Sequence, residues 1–334
     1  MKDSRVASPE LSIVIPVFNE AANIGPLCAR LIPVVESVAS SFEIVFVDDG
    51  SRDETLARIK AESGRDPRIG AVSFSRNFGK EIAIAAGLDH ASGAAVVIMD
   101  ADLQHPPEMI AAFVEKWRQG YIMVFGQRTD RSEETRIRRG SAHLFYRLFE
   151  RFGEIGLPEG AGDFRLIDRK GVEVMKTLGE RSRFSKGLYA WIGFRATGVP
   201  FVVAERQHGR TKWNFRTLFR FAFDGITSFS TAPLRIWTYL GILISIGSIV
   251  TALYYIVRTL LYGTDVPGFP SIFVSVMFFS GIQLMSLGII GEYVGRIFAE
   301  VKRRPLYVVA ERVGAAAESG GDALVRDERR RGKA

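Results

Sequence analysis

Two long apolar segments near the C-terminus constrain the fold of this chain more than any other feature. Residues 236–261 and 269–298 are each longer than the run of about 20 apolar residues that crosses a bilayer core. Buried helices of soluble proteins are seldom so long. The short link between the segments contains Gly and Pro, which favours a hairpin whose outer ends lie on the same side of a membrane.

The basic residues around these segments predict which side that is. Arg235 precedes the first segment, and Arg296 and the run Lys302–Arg304 close the second, whereas only Arg258 and Asp265 lie near the hairpin. By the positive-inside rule, both termini and the domain before the hairpin are expected in the cytoplasm.

Two amphipathic segments before the hairpin are predicted to lie on the membrane surface. Residues 137–152 and 213–235 each carry a helical stripe of Leu, Ile and Phe flanked by Arg. Ordinary core packing is the alternative for both segments.

Small residues in the second apolar segment favour close helix packing. Gly291 and Gly295 have the four-residue spacing at which helices approach closely. A homo-oligomer is therefore expected, although contact within the hairpin would use the same spacing equally well.

Charge and cysteine content exclude several classes of protein. A net charge of +7 fits nucleic acid, anionic lipid or a phosphorylated substrate, and charge alone does not choose among them. The only cysteine, Cys28, rules out an intramolecular disulfide and a cysteine-built zinc site, so we expect it to pack in a core.

The region from residue 11 to 212 is predicted to be an α/β domain with a largely parallel sheet. Short runs rich in Val and Ile alternate there with helix-like segments. Ligands bind outside the carboxyl ends of such strands. Polar residues 1–10 precede the domain, and residues 299–334 are expected to be a partly disordered cytoplasmic tail. The strand-like runs are residues 11–17, 42–48, 69–75, 94–99 and 121–127.

The string D-A-D-L-Q-H-P follows the fourth run directly. If this segment is extended, Asp100 and Asp102 point to the same side and can share a hard cation such as Mg²⁺ or Mn²⁺. Such a cation suits the diphosphate of a nucleotide-sugar, because it neutralises charge on the departing nucleotide. Gln104 could supply a further oxygen.

Polar residues after the first two runs are candidates for nucleoside binding. Asp48 and Asp49 could accept hydrogen bonds from a base N–H or a ribose hydroxyl. Pro16, Asn19 and Glu20 could form the wall of a base pocket, although a helix-starting loop explains them nearly as well. The first run is not followed by G-x-G-x-x-G, and the chain has no P-loop motif, which disfavours both alternative nucleotide folds.

Five motifs occur in order along the chain: I-P-V-F-N-E, V-D-D-G-S, R-N-F-G-K-E, D-A-D-L-Q-H-P-P-E and G-D-F-R-L. With them, the chain resembles family 2 glycosyltransferases of the polyisoprenyl-phosphate sugar synthase type. The apolar pair matches the bacterial branch that makes undecaprenyl-phosphate sugars for surface polysaccharide modification. The resemblance implies a GT-A-type nucleotide-sugar domain at the inner membrane, with a nucleotide-sugar donor and a polyisoprenyl phosphate acceptor. No nucleic acid partner is expected.

The resemblance also implies roles for individual residues. Asp163 of G-D-F-R-L would lie beside the reacting centre and act in catalysis together with Asp102. The implied metal ligands are Asp100, Asp102 and Gln104. The implied nucleotide-binding residues are Pro16, Asn19, Glu20, Asp48, Asp49, Lys80 and Asp100.

Three basic residues are candidates for gripping the lipid phosphate, with solvated surface charge as the alternative. Arg128 and Arg206 offer forked donors, and Lys212 offers a point charge near the membrane-facing segments. Lys212 lies in G-R-T-K-W, which resembles the family's G-x-S-K-Y element with Thr for Ser and Trp for Tyr.

The expected reaction is metal-dependent, inverting transfer of a hexose, with UDP-glucose the favoured donor. A lipid phosphate is already ionised near neutral pH, so Asp163 is expected to orient a substrate more than to abstract a proton. GDP-mannose or a UDP-amino sugar remain alternative donors. A processive synthase is disfavoured because Q-x-x-R-W is missing, and a non-catalytic membrane scaffold or lipid-binding protein is disfavoured by the intact acidic set.

Overall fold

The Val- and Ile-rich runs form strands of one sheet in a computed structural model of the chain. It describes residues 8–128, 161–181, 183, 185–201, 232–262 and 268–314. All five predicted runs lie on strands, which confirms the predicted α/β fold. The strands are β1 (Leu11–Val17), β2 (Phe42–Asp48), β3 (Ile69–Phe74), β4 (Ala95–Ile98), β5 (Met123–Arg128), β6 (Ala161–Asp168), β7 (Ala196–Phe201) and β8 (Val309–Val313).

Helices connect and cover these strands. They are α1 (Ala21–Val38), α2 (Thr55–Arg65), α3 (Lys80–His90), α4 (Met109–Arg118), α5 (Arg169–Thr177), α6 (Ser185–Trp191), α7 (Ala232–Tyr262) and α8 (Phe269–Val301).

The sheet is parallel at its centre and mixed towards its edges. Its strand order is β7-β5-β6-β4-β1-β2-β3-β8. The four neighbours β4, β1, β2 and β3 are mutually parallel, whereas β6 runs antiparallel to both β4 and β5. The carboxyl ends of the four parallel strands therefore meet at one edge, next to the start of β6.

Both faces of the central strands are buried, which explains why they are apolar almost throughout. On one face, Ile13 and Ile15 of β1 belong to a core that includes residues of α1, α2 and α4. On the other face, Val14 belongs to a core that includes residues of α3, α5 and α6. Cys28 is buried in the first core, which confirms its predicted packing role.

A glycine sets how closely α3 approaches the sheet. A Cβ built on Gly87 would lie 2.1 Å from Cγ1 of Val14 on β1. Only a residue without a side chain lets α3 pack at this depth. The depth of that packing fixes where the first residue of α3, Lys80, lies relative to the strand ends.

The eighth strand was not predicted. Residues 299–334 were expected to be a partly disordered tail, but within them β8 pairs antiparallel with β3. The backbone N–H of Ser75 donates to the carbonyl of Val308 at 3.0 Å. Tyr307 stacks on Phe74 with a centroid distance of 5.0 Å. The chain that follows α8 thus returns to the sheet and covers the edge of β3.

The two predicted apolar segments are helices. Within α7 and α8, the stretches Trp237–Tyr262 and Val274–Val301 have mean hydropathies of 2.1 and 1.8, and both are long enough to cross a membrane. Their apolar side chains point outward from the protein. Because water solvates such a surface poorly, these helices indicate membrane association. The predicted surface segment 137–152 and residues 213–231 lie outside the described residues.

Substitution of Gly87 by Ala is expected to destabilise the fold, because the new Cβ would overlap Val14. Overpacking of this kind costs about 1–3 kcal/mol, which lowers the unfolding temperature by several degrees. The measurement is thermal unfolding of the detergent-solubilised protein. Gly25→Ala in α1 is the matched control, since a Cβ there meets nothing within 4 Å. Combining Gly87→Ala with Val14→Ala should recover part of the lost unfolding temperature, because the smaller side chain makes room for the new Cβ. Equal decreases in unfolding temperature for Gly25→Ala and Gly87→Ala would contradict the packing described.

Cys28 is expected to resist alkylation while the protein is folded. Burial, together with the nearby carboxylates of Glu62 and Asp66, raises the pKa of its thiol to about 12. Because the thiolate is the reactive form, folded protein treated with iodoacetamide at about pH 8 should stay unmodified and denatured protein should be labelled. Mass spectrometry measures the label on this single site. Equal labelling rates for folded and denatured protein would show that the thiol is accessible.

Candidate active site

The predicted polar residues gather at the carboxyl edge of the sheet, as the parallel topology requires. Asn19 and Glu20 follow β1, and Asp49 follows β2. Asp100 and Asp102 follow β4. Pro16 lies inside β1, where it pairs with Val47 and is buried.

The loops after β1 and β2 are joined by hydrogen bonds. The backbone N–H of Asn19 donates to Ser51 Oγ at 2.9 Å, and Asn19 Oδ1 accepts from the backbone N–H of Arg52 at 2.9 Å. Glu20 donates its backbone N–H to Thr55 Oγ1 at 2.9 Å. Asn19 has a φ of 56°, a left-handed conformation that Asn tolerates better than most residues. The two loops therefore form one fixed wall, and its contact with a base stays a prediction.

Asp48, the last residue of β2, and Asp49, which follows it, hold neighbouring loops in place. Asp48 Oδ1 accepts from the backbone N–H of Ser51 at 3.0 Å, and its Oδ2 accepts from Ser73 Oγ at 2.7 Å. The carboxylate of Asp49 accepts the backbone N–H groups of Phe78 and Gly79 at 2.6 and 2.9 Å.

The surroundings of Asp49 change the pKa of its carboxyl. Burial raises the pKa of its carboxyl, and the two backbone donors oppose that rise without cancelling it. Because the oxygens of Asp48 and Asp49 already accept bonds from the protein, these contacts support a role in shaping the loops. Their direct contact with a nucleoside remains a prediction.

The acidic string after β4 is a turn, and its predicted extended conformation is wrong. The strand ends at Ile98, and Ala101 and Asp102 already lie in a turn. Leu103 is buried with a φ of 59°, which costs energy for a residue with a side chain. Gln104 donates its backbone N–H to Asp102 Oδ1 at 3.1 Å. Side-chain alternation along a strand therefore does not relate Asp100 to Asp102.

Lys80 contacts carboxylates from two different elements, the turn after β4 and strand β6. Its Nζ lies 2.7 Å from Oδ1 of Asp100 and 2.9 Å from Oδ2 of Asp163 on β6. Burial works against both charged forms, but the opposite charges prevail. They raise the pKa of Lys80 and lower that of Asp163, where Lys186 adds a further positive charge. Both groups are therefore ionised around neutral pH.

Four buried polar atoms in and beside the site have no hydrogen-bond partner within the described part of the chain. They are Oδ1 of Asp163, Nδ1 of His105, Nε of Arg165 and the hydroxyl oxygen of Tyr189. The imidazole of His105 stacks on Phe164 with a centroid distance of 4.9 Å. Buried polar atoms are normally satisfied, so unpaired ones in a cleft are candidates for contact with a ligand.

A hard divalent cation fits the donor set after β4 only if the substrate completes its coordination. Asp100 and Asp102 offer carboxylate oxygens and Gln104 offers an amide oxygen, which are the ligand types that Mg²⁺ and Mn²⁺ prefer. Across the described ranges, no cluster of three or more His, Cys, Asp or Glu side chains could hold a metal alone. Diphosphate oxygens or water would therefore have to supply the other ligands.

The side chains of the three predicted lipid-phosphate residues are not among those that the structure describes. Arg128 ends β5, and only its backbone is described. Arg206 and Lys212 lie outside the described residues. Sequence reasoning also missed Glu81 and Arg165, which lie beside Lys80 and Asp163. The strand alternation of G-D-F-R-L was the available signal for Arg165, because residues two apart share a face.

Comparison with known proteins gives a consistent picture. Residues 12–175 match the model of Glycosyl transferase family 2. The chain is 50% identical over 302 residues to an uncharacterized glycosyltransferase of Synechocystis sp., covering 90% of this chain and 95% of that protein. It is 45% identical over 300 residues to a prophage-derived bactoprenol glucosyl transferase of Shigella flexneri, covering 90% and 97%. A prophage bactoprenol glucosyl transferase homolog of Escherichia coli is 44% identical over 301 residues, covering 90% and 98%.

Replacing Lys80 by Met is expected to lower the unfolding temperature more at pH 8 than at pH 5. In the wild type, the lowered pKa of Asp163 contributes stability above the carboxyl's unfolded value near 4, and that stability is lost as the pH falls through the folded pKa. Without the ammonium, burial and Asp100 should raise the pKa of Asp163, so the penalty grows as the pH rises. The difference should be of the order of 1 kcal/mol, because solvent screens the partly exposed lysine.

Lys60→Met is the matched control for this substitution. Lys60 on α2 forms a surface ion pair with Glu311 on β8 at 2.6 Å, and neither residue belongs to the site. Such a pair contributes little at either pH. Thermal unfolding of both variants at the two pH values is the measurement. A pH-independent effect at Lys80, equal to that at Lys60, would contradict the coupling of Lys80 to the two carboxylates.

Proposed function

We propose that this chain, which belongs to glycosyl transferase family 2, transfers a hexose from a nucleotide-sugar to a polyisoprenyl phosphate in the inner membrane. The donor is proposed to be UDP-glucose and the acceptor undecaprenyl phosphate. Relatives at 44–45% identity over nearly their whole length are named bactoprenol glucosyl transferase, and bactoprenol is a polyisoprenyl lipid. The observation that carries the proposal is that Lys80 contacts both Asp100 and Asp163 at the carboxyl edge of the sheet, in a chain with these relatives.

The donor is proposed to lie across the loops that follow β1, β2 and β4. Asn19 and Glu20, with Pro16 behind them, would flank the base, and Asp49 would face the nucleoside from the next loop. Asp48 would contribute to the nucleotide site from its buried position. The hydrogen bonds that already fix these loops support the assignment, because a pocket that is formed before binding loses less entropy on binding.

A divalent cation, Mg²⁺ or Mn²⁺, is proposed to be held by Asp100, Asp102 and Gln104. When bound, it would neutralise the negative charge that develops on the leaving nucleotide diphosphate. Lys80 would add positive charge on the same side of the leaving group, which supports its assignment to the nucleotide-binding set.

Direct, inverting displacement needs little proton transfer in this reaction. An oxygen of the lipid phosphate attacks the anomeric carbon and forms the new C–O bond, while the bond from that carbon to the diphosphate oxygen breaks. The nucleotide diphosphate leaves with the bonding electrons. Because the attacking phosphate is already ionised, catalysis rests on positioning and charge. Asp163, kept ionised by Lys80, would orient the acceptor or the sugar from Oδ1, its unpaired oxygen.

The lipid phosphate is proposed to be gripped by Arg128, Arg206 and Lys212. A forked guanidinium can bind two phosphate oxygens at once, and an ammonium can balance the remaining charge. Arg128 supports this assignment by its place at the end of β5, which pairs with β6 near Asp163.

Residues 11–212 are proposed to form the cytoplasmic transferase domain, with α7 and α8 spanning the membrane as a hairpin. Pairing of β8 with β3 supports this topology, because it keeps the chain after α8 on the same side as the transferase domain. The number of crossings between the domain and β8 must then be even. Both termini would face the cytoplasm, with segments 137–152 and 213–235 on the membrane surface.

A homo-oligomer is proposed through the small-residue face of α8. A Cβ built on Gly288, Gly291 or Gly295 would meet no described atom within 4 Å, so the visible part of the hairpin does not use this face. In lipid, faces of small residues let helices from different subunits approach closely.

The test is transfer of label from a panel of UDP- and GDP-sugars into the organic phase with undecaprenyl phosphate and Mg²⁺ or Mn²⁺. We expect one donor, UDP-glucose, to label the lipid. Asp102→Asn and a chelator should each lower transfer at least about a hundredfold, because several kcal/mol of charge stabilisation are lost. Asp66→Asn is the matched control, since Asp66 pairs with Arg68 at the end of α2, outside the site.

Transfer that persists in Asp102→Asn would reject the proposed metal site. Transfer from another donor would reject UDP-glucose but keep the reaction. A folded wild-type protein that binds the lipid and transfers no sugar from any donor would favour the non-catalytic reading of the chain.

A further inference from the structure

Strand β6 buries an arginine, Arg165, although removing a guanidinium from water costs free energy and an apolar side chain would pack there as well. Arg165 is only 3% exposed and lies in mid-sheet, opposite Ile98 of β4 and Phe125 of β5. Alternation along β6 puts Arg165 on the same face as Asp163 and Ile167. Ile167 belongs to the apolar core of that face, which an aliphatic side chain at position 165 would extend at less cost than a guanidinium.

The guanidinium is fixed by three contacts. It donates through Nη2 to the carbonyl of Gly162 and through Nη1 to Met123 Sδ at 3.4 Å. Its Cζ lies 3.7 Å from the ring centroid of Tyr189. Gly162 is the residue directly before Asp163. By donating to the Gly162 carbonyl, Arg165 therefore holds the backbone next to Asp163, from which the Asp163 side chain projects.

The ring that covers Arg165 is itself anchored next to Lys80. Tyr189 belongs to α6, and the first residue of that helix, Ser185, donates its backbone N–H to Glu81 at 3.0 Å and its hydroxyl to the same carboxylate. Glu81 follows Lys80 in α3. The Arg165–Tyr189 contact and the Lys80–Asp163 pair are thus connected through α3 and α6.

The charges around Arg165 also favour its retention. The pKa of the guanidinium is lowered overall, because burial outweighs Tyr189 and the carboxylates of Asp163 and Glu81, which act to raise it. Lys80, Lys186 and Arg183 are the other charged groups that act on this cluster. Arg165 remains a cation between two acids, so it offsets repulsion between Asp163 and Glu81 as well as bonding the backbone.

We propose that Arg165 is a positioning residue, which holds Asp163 in its reactive orientation through the Gly162 carbonyl and is itself held by Tyr189. The inference rests on the proposed transferase function and deepens it. Arg165 is covered by Tyr189 and does not touch the substrates. It acts by keeping Oδ2 of Asp163 on Lys80, which leaves Oδ1 directed to the reacting groups.

The test compares Arg165→Lys with Arg169→Lys in the sugar-transfer assay. Lysine keeps the charge at position 165 and loses the planar fork and the stack on Tyr189. Arg169, the first residue of α5, makes an ideal control because its guanidinium also donates to backbone carbonyls, those of Ala91 and Gly93, outside the site. Both variants should lose similar thermal stability.

Only Arg165→Lys is expected to slow the reaction. It should lower kcat by about ten- to a hundredfold with the donor KM within about twofold, because a displaced Asp163 affects the transition state more than nucleotide binding. In Arg165→Ala, added guanidinium ion should restore part of the lost kcat by entering the vacated space. Wild-type kcat in Arg165→Lys, or an equal fall in Arg169→Lys, overturns the inference.

A second readout does not depend on turnover. In the structure of Arg165→Lys, Asp163 Oδ2 should move away from its 2.9 Å contact with Lys80 Nζ, whereas Arg169→Lys should keep it. An unchanged contact in Arg165→Lys overturns the inference even if the wild type transfers no sugar. Absence of transfer by the wild type, by contrast, rejects the proposed function alone.

Discussion

The ammonium of Lys80 is the contact on which the arrangement of the site depends. It lies 2.7 Å from Asp100 and 2.9 Å from Asp163, and these three residues come from α3, the turn after β4 and β6. If Lys80 were absent, the carboxylates of Asp100 and Asp163 would repel each other, because the site is partly buried and screens their charges poorly. The lysine thus allows two acidic groups from different elements to lie close together, and its charge would be available to the diphosphate of the proposed donor.

The position of that ammonium follows from how α3 packs. Gly87 lets the helix settle on Val14 of β1, and Gly79, with a φ of 102°, turns the chain into the helix. Asp49 then accepts the backbone N–H of Gly79, so the second strand helps to aim the start of α3. The position of Lys80 is therefore set by two glycines and an aspartate from outside α3 and within it.

The sequence predicts elements that depend on local apolar patterns, but it does not predict contacts that depend on pairing between strands far apart in the chain. The five strands of the first 128 residues follow from their apolar runs, because both faces of each central strand are buried. The acidic turn was located correctly, although its extended conformation was wrong, since the strand ends before Asp100 and Leu103 adopts a left-handed backbone. β8 was missed because V-A-E-R-V is short and charged, which suits an edge strand but gives a weak strand signal.

The contact between Lys80 and Asp163 could not be predicted for a related reason: it depends on β6 entering the sheet antiparallel between β4 and β5. Ile98 pairs with Arg165 in that register. Continuing the register by two residues past the end of β4 brings Asp163 opposite Asp100, within reach of the same ammonium. A slip of one residue would turn Asp163 and Arg165 to the face that buries Phe164 and Leu166. On that face the two charged side chains would be buried in an apolar core without their present partners, Lys80, Tyr189 and the Gly162 carbonyl. This cost fixes the register, so the packing that selects the fold also brings the acidic pair together.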